Sequence, residues 1–173
     1  MRPKPYTAPP FYPLAGASPV ERDGAAVGVR AYYQVRDYTC GFASTLTVLH
    51  SFRRYVDPAD LYRRLGTDRS GTRQTAIVRE LRAEGLSANL RYDLDFARIT
   101  RLVDEGALII GYHFRLEHWL VLFGYRRDPD RVLVADSLPG HRTEHEWAVF
   151  GEKLGNFGIV CRPRRAAAAR ARA

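Results

Sequence analysis

Apolar positions along this chain recur with two different periods, and the change of period divides it. In the first half they return every three to four residues. Within CGFASTLTVLHSFRR, Phe42, Leu46, Leu49 and Phe52 fall near one face, which predicts a helix opening near Cys40. Asp57-Pro58 reads as an N-cap followed by proline at the first helical position, opening ADLYRRL. Ser70 to Glu84 carries Ile77, Val78 and Leu81 at helical spacing and stops at Gly85, and DLDFARITRLVDEG forms another amphipathic helix ended by Gly106. Between them LSANLRYD reads as a strand. In the second half the runs shorten and fill with β-branched and aromatic residues. ALIIGYHF, HWLVLFGY, RVLVADS and NFGIVC predict strands, with a short helix over EHEWAVFGEKL. The Arg-Asp-Pro-Asp turn should join HWLVLFGY and RVLVADS as an antiparallel hairpin. Helices first and strands after predict an α+β domain with the helices packed on a C-terminal antiparallel sheet.

Both ends differ from this body. Residues 1–27 are rich in Pro, Gly and Ala and are expected to be irregular, with Val29 to Gln34 extended after them. Residues 162–173 are expected to be a basic, disordered tail. Most of the net charge of +8 lies in the first ten and the last twelve residues. Arg2, Lys4, Arg162, Arg164, Arg165, Arg170 and Arg172 account for seven positive charges, leaving 20 basic against 19 acidic groups in the body. A folded basic face for nucleic acid is therefore not expected. The 173 residues suit one domain, with no membrane-length apolar run and no signal-peptide core, so the expected location is the cytoplasm. Cys40 and Cys161 are expected to be free thiols.

Four residues carry candidate chemistry. Cys40 stands at the start of its helix, where unpaired N–H groups and the positive end of the dipole favour a thiolate; the alternative is a small residue filling a helix–core contact. His118 opens an apolar strand in which an imidazole must be paired or working. Asp136 ends the partner strand, where a carboxylate needs a donor, although it could also be a turn residue. The two would be directly opposed if the hairpin turn centred on Arg127, but the turn chemistry centres it nearer Pro129, so a bulge or wide loop is required. Gln34 lies six residues before Cys40, and its amide could donate to an oxyanion together with the Cys40 N–H. His50, His113, His141 and His145 are scattered, without metal-ligand spacing, and Glu144-His145-Glu146 reads as a solvated helix face. His113 is the second candidate for the base. No metal or cofactor is expected.

Gln34-x5-Cys40-Gly41, Ser70-Gly71-Thr72-Arg73, Gly85-Leu86-Ser87-Ala88, His118-Trp-Leu-Val-Leu-x-Gly-Tyr and Val-Leu-Val-Ala-Asp136 together resemble the papain-like cysteine peptidases, and among them the bacteriocin-processing (C39-like) branch. The resemblance spans about residues 30 to 161 and makes 28–161 a C39-like peptidase domain. Three departures stand out: Phe42 occupies a position that is often proline, Ser137 replaces the proline after the aspartate, and the His–Asp spacing is slightly long. The resemblance implies a papain-like fold in which Cys40 attacks a peptide carbonyl, His118 holds the ion pair and protonates the leaving group, and Asp136 fixes the imidazole. It also implies a peptide or protein substrate, in the related family a leader cut after two glycines. Two alternatives share the fold: acyl transfer to an amine or thiol, and a catalytically inactive domain that binds a peptide in the cleft. For the Pro-rich segment the expectation is that it packs across the cleft.

Overall fold

The computed structural model describes residues 23–138 and 142–164. Most of the Pro-rich segment, His141 and the last nine residues, with Arg165, Arg170 and Arg172, lie outside them. The expectation that residues 1–27 pack across the cleft falls on residues that lie for the most part outside them.

Local signals in the sequence set the helix boundaries. Strand β1 covers Gly24–Ala26, and helix α1 runs Cys40–Ser51. Helix α2 (Pro58–Leu65) starts where the Asp57 carboxylate accepts the Asp60 N–H at 2.9 Å, and it stops at Gly66 with φ of 61°. Helix α3 (Gln74–Ala83) begins later than Ser70 because residues 68–71 close a turn first, in which the Ser70 N–H donates to the Asp68 carboxylate at 2.7 Å. After strand β2 (Leu86–Arg91), helix α4 (Phe96–Asp104) is capped by Asp95. Strand β3 (Leu108–His113) reaches strand β4 (His118–Arg126) through a single 3-10 turn at Phe114–Leu116. Strands β5 (Arg131–Ala135) and β6 (Arg142–Glu146), helix α5 (Trp147–Leu154) and strand β7 (Gly158–Pro163) complete the described chain.

The strands form one antiparallel sheet in the order β2-β7-β3-β4-β5-β6. Helix α1 lies on one face and is buried from Cys40 through His50, so it is a central helix rather than an amphipathic surface one. Phe42, Leu46 and Leu49 pack there with Val121 and Phe123 of β4, and α2 and α3 extend the same core. On the opposite face, Ile99 and Val103 of α4 and Leu154 of α5 cover Leu120, Leu122 and Val134. Each fully buried Leu, Ile or Phe contributes about 1.5–3 kcal/mol, so both layers hold β4 in place. Among the described residues, no helix is long and apolar enough to cross a membrane.

Three expectations are corrected. Gly24–Ala26 is not irregular: it pairs with Gly124–Arg126 of β4, because small residues fit against Gly124, where a Cβ would stand 2.8 Å from the Ala25 carbonyl. Glu144-His145-Glu146 is not helical. It lies in β6, whose pairing with β5 supplies hydrogen bonds and sets Glu144 and Glu146 beside Arg131, and α5 starts only at Trp147. Arg162 and Pro163 are not tail residues, because β2 pairs with β7 along its whole length. Arg162 then pairs with Glu105 at 2.5 Å, and Arg164 donates to the Leu86 carbonyl.

Candidate active site

Thr39 precedes α1 without capping it through its side chain, and the first turn carries no acid. The orphan N–H groups and positive helix end therefore act on Cys40, the first residue of the helix. Cys40 is 4% exposed. Burial alone would push its thiol up, but a hydrogen bond from His118 and the backbone amides of Trp119 and Gly41 bring it below its ordinary value. Only glycine fits at position 41, since a Cβ there would stand 2.6 Å from Thr72 Cβ and 3.0 Å from Trp119 Cδ1.

His118 opens β4 and is buried. Its Nε2 lies 2.7 Å from Asp136 Oδ1, which leaves Nδ1 for the thiol. Burial opposes the charged ring, yet the hydrogen bonds and charges of Asp136 and Cys40 outweigh it and raise His118 to about 9. Asp136, just past β5, also accepts the Leu138 N–H at 2.9 Å. Burial pushes its carboxyl up, but the His118 and Leu138 hydrogen bonds and the nearby charges of His118 and His145 hold it below the usual carboxylate range. All three shifts favour a thiolate, an imidazolium and a carboxylate in a row.

Of the two expected alternatives, a bulge or a wide loop, a bulge is present. The β4–β5 pairing runs from Arg126–Arg131 to Gly124–Leu133, then shifts before resuming at Leu122–Val134 and Val121–Ala135. Extending that register sets Asp136 beside Leu120, so it reaches His118 along a diagonal and not from directly opposite. Gln34 is half-buried. Its Nε2 donates to the carbonyls of Arg36 (3.1 Å) and Asp37 (3.3 Å), and its Oε1 accepts the Ser137 hydroxyl at 2.8 Å.

A cleft of about 980 Å³ opens beside Cys40. One wall is the loop around Gly71 and Thr72, and the other is aromatic, formed by Tyr112, Phe114, Trp119 and Phe157. Thr67 supports the loop through a 2.8 Å hydroxyl–hydroxyl bond to Thr72. Sequence reasoning named the Ser70–Arg73 loop only as part of a pattern and missed the aromatic wall and Ser137. The signal available for the wall was the cluster of aromatic residues at both ends of the β3–β4 connection.

The other candidates stand apart. His113 pairs with His118 across β3 and β4, but its Nδ1 accepts the Leu116 N–H, and burial lowers its basicity. His50 is bonded to the Tyr32 hydroxyl and the Val56 carbonyl, and His145 to the Thr143 hydroxyl. Cys161 is a free thiol, fully buried, and burial drives its ionisation far upward. Among the described residues, no three His, Cys, Asp or Glu side chains gather as metal ligands.

A buried helix that starts at cysteine, packed on an antiparallel sheet whose strand starts at histidine, is the arrangement of the papain-like fold. Solved structures agree. A double-glycine-motif protease from an AMS/PCAT transporter, in complex with its leader peptide, superposes with a TM-score of 0.66 at 20% identity, covering 80% of this chain and 94% of that one. The peptidase domain of Streptococcus ComA, described as a bi-functional ABC transporter of a quorum-sensing pathway, gives 0.64 at 20% identity, covering 78% and 98%. That of Streptococcus mutans ComA gives 0.55 at 18% identity, covering 77% and 98%. No curated protein matches the sequence. Residues 27–157 match the Peptidase_C39 like family, and the chain belongs to it, a papain-like cysteine peptidase by family and fold.

Proposed function

We propose that this protein hydrolyses a peptide bond of a leader-type peptide, with Cys40 as nucleophile, His118 as acid and base, Asp136 as its orienting carboxylate and Gln34 as oxyanion donor. The observation that carries the proposal is the 2.7 Å bond between His118 and Asp136, with His118 acting on the Cys40 thiol at the edge of an open cleft. The Cys40 thiolate attacks the scissile carbonyl carbon. The oxygen that becomes negative is held by the Cys40 N–H and by Gln34 Nε2, one such donor being worth about 3 kcal/mol. Gln34 Nε2 is bonded to the Arg36 and Asp37 carbonyls, and the oxyanion would take one of its hydrogens in exchange for one of these bonds.

The imidazolium then gives its proton to the leaving amine as the C–N bond breaks, leaving a thioester on Cys40. A water molecule loses a proton to His118 and attacks the thioester. Collapse releases the carboxylic acid, and thiolate and imidazolium are restored. The aromatic wall suits apolar side chains of an extended peptide, and the leader peptide in the related transporter protease supports that substrate class. Two free, buried thiols suit a reducing compartment and support a cytoplasmic setting for the reaction.

The test is incubation with synthetic leader peptides ending in Gly-Gly joined to a short cargo, followed by mass spectrometry, for the parent, Cys40→Ala and His118→Ala. Cleavage after the second glycine by the parent alone is the expected result. Transfer of the acyl group to an added amine or thiol without hydrolysis would make the protein an acyltransferase. Peptide binding without any reaction would make it a binding domain.

A further inference from the structure

Ser137 is 4% exposed and directly follows Asp136. Its hydroxyl donates to Gln34 Oε1 at 2.8 Å, and its carbonyl accepts the Gln34 N–H at 3.1 Å. Two bonds thus join segments 103 residues apart, one bearing the oxyanion donor and the other the carboxylate behind His118. We infer that Ser137 is a positioning residue that fixes the Gln34 carboxamide in the orientation an oxyanion donor requires and ties it to the Asp136 loop. The inference rests on the peptide-hydrolase reading above.

The physical reason is the symmetry of a carboxamide. Its terminal torsion is broad and roughly two-fold, so the oxygen and the NH2 group exchange places at little steric cost. Reversed, Gln34 would turn its oxygen toward two carbonyl oxygens and present no donor. The Arg36 and Asp37 carbonyls, which only accept, set the NH2 toward their loop, and the Ser137 hydroxyl, donating to Oε1, anchors the opposite end of the carboxamide so that it does not swing away. Proline at 137 keeps the carbonyl that accepts the Gln34 N–H and supplies no hydroxyl. Ser137→Pro therefore removes the side-chain bond and leaves the backbone acceptor in place.

The experiment measures acylation of Cys40 by p-nitrophenyl acetate, read as the first-turnover release of nitrophenolate, in the parent, Ser137→Ala, Ser137→Pro, Gln34→Ala and the Ser137→Ala/Gln34→Ala double variant. Iodoacetamide alkylation of Cys40 against pH is run beside it as a measure of the thiolate–imidazolium pair. Loss of one neutral hydrogen bond predicts acylation about tenfold slower in both Ser137 variants. Loss of the donor predicts about a hundredfold in Gln34→Ala. The double variant should equal Gln34→Ala, because Ser137 acts through that side chain. The alkylation profile should be the same in the parent and Ser137→Ala.

Parent-like acylation in both Ser137 variants would overturn the inference. So would a further tenfold loss on adding Ser137→Ala to Gln34→Ala, or a shifted alkylation profile, since either would show Ser137 acting through the fold or through Asp136. The two readings fail separately. A parent that is acylated by the ester yet cleaves no peptide refutes the peptidase proposal and leaves the Ser137 comparison intact.

Discussion

Replacing Asp136 by Asn isolates the charge that holds His118. Asparagine has nearly the same shape and keeps an oxygen able to accept the Leu138 N–H, now 2.9 Å from Asp136 Oδ1. The rise of His118 from 6.5 to about 9 amounts to about 3 kcal/mol in favour of the imidazolium. Burial works against that rise, and the hydrogen bond that His118 donates to Asp136 is the first of the contributions that produce it, ahead of the bond to Cys40. The variant should therefore lower the midpoint by at least about one pH unit, toward the ordinary imidazole value of about 6.5. With less positive charge beside it, the Cys40 thiolate should form at higher pH than in the parent. The pH range in which thiolate and imidazolium coexist then narrows from both sides. The assay is the NMR titration of the His118 ring proton, with Cys40 alkylation rates over the same range. A midpoint still at about 9 in Asp136→Asn would refute the reasoning. Stability follows the same signs. The His118 contribution is complete below the unfolded value of about 6.5 and is lost as pH rises through about 9. The Asp136 contribution is present above the ordinary carboxylate range and is lost as pH falls through its depressed folded value.

Peptide cleavage by the parent should decline above pH of about 9, where His118 gives up its proton, and a rate still rising there would rule out the imidazolium as proton donor. Gly41→Ala gains about 1 kcal/mol of helix propensity but drives a methyl into Thr72 and Trp119, and overpacking costs about 1–3 kcal/mol. Urea denaturation should show a net loss of about 1 kcal/mol, with slower cleavage because both neighbours line the cleft; a fully stable and active variant would show that the loop yields freely. Native alkylation should label Cys40 alone and reach Cys161 only in denaturant, and two labels per native chain would contradict the burial of Cys161.

The helices, the central strands and the Cys40, His118 and Asp136 positions were legible because each carries a local signal: a cap, a period or a polar residue in an apolar run. An irregularity between β4 and β5 was also legible, as a bulge or a wide loop, since a turn near Pro129 does not by itself bring His118 and Asp136 together; the bulge sets them on a diagonal. What sequence missed depends on neighbours distant in the chain. Gly24–Ala26 has no strand pattern of its own and is a strand only because Gly124 leaves room. Glu144–Glu146 has helical composition, yet the open edge of β5 offers it backbone partners. Ser137 looked like a loop residue until the fold brought Gln34 beside it. The family comparison agrees with the resemblance read from the motifs, over residues 27–157.

The bonds between Gln34 and Ser137 close a loop of 103 residues, and Cys40 meets His118 only once α1 has docked on β4. Contacts of such long range pay their loop-closure entropy before they return any energy, so they form late when a chain refolds. Alkylation of Cys40 at low pH should thus serve as a clock for a late step of assembly. Pulsed alkylation during refolding would time the docking of the two halves of the molecule, with Cys161 recording when the sheet behind them closes to reagent.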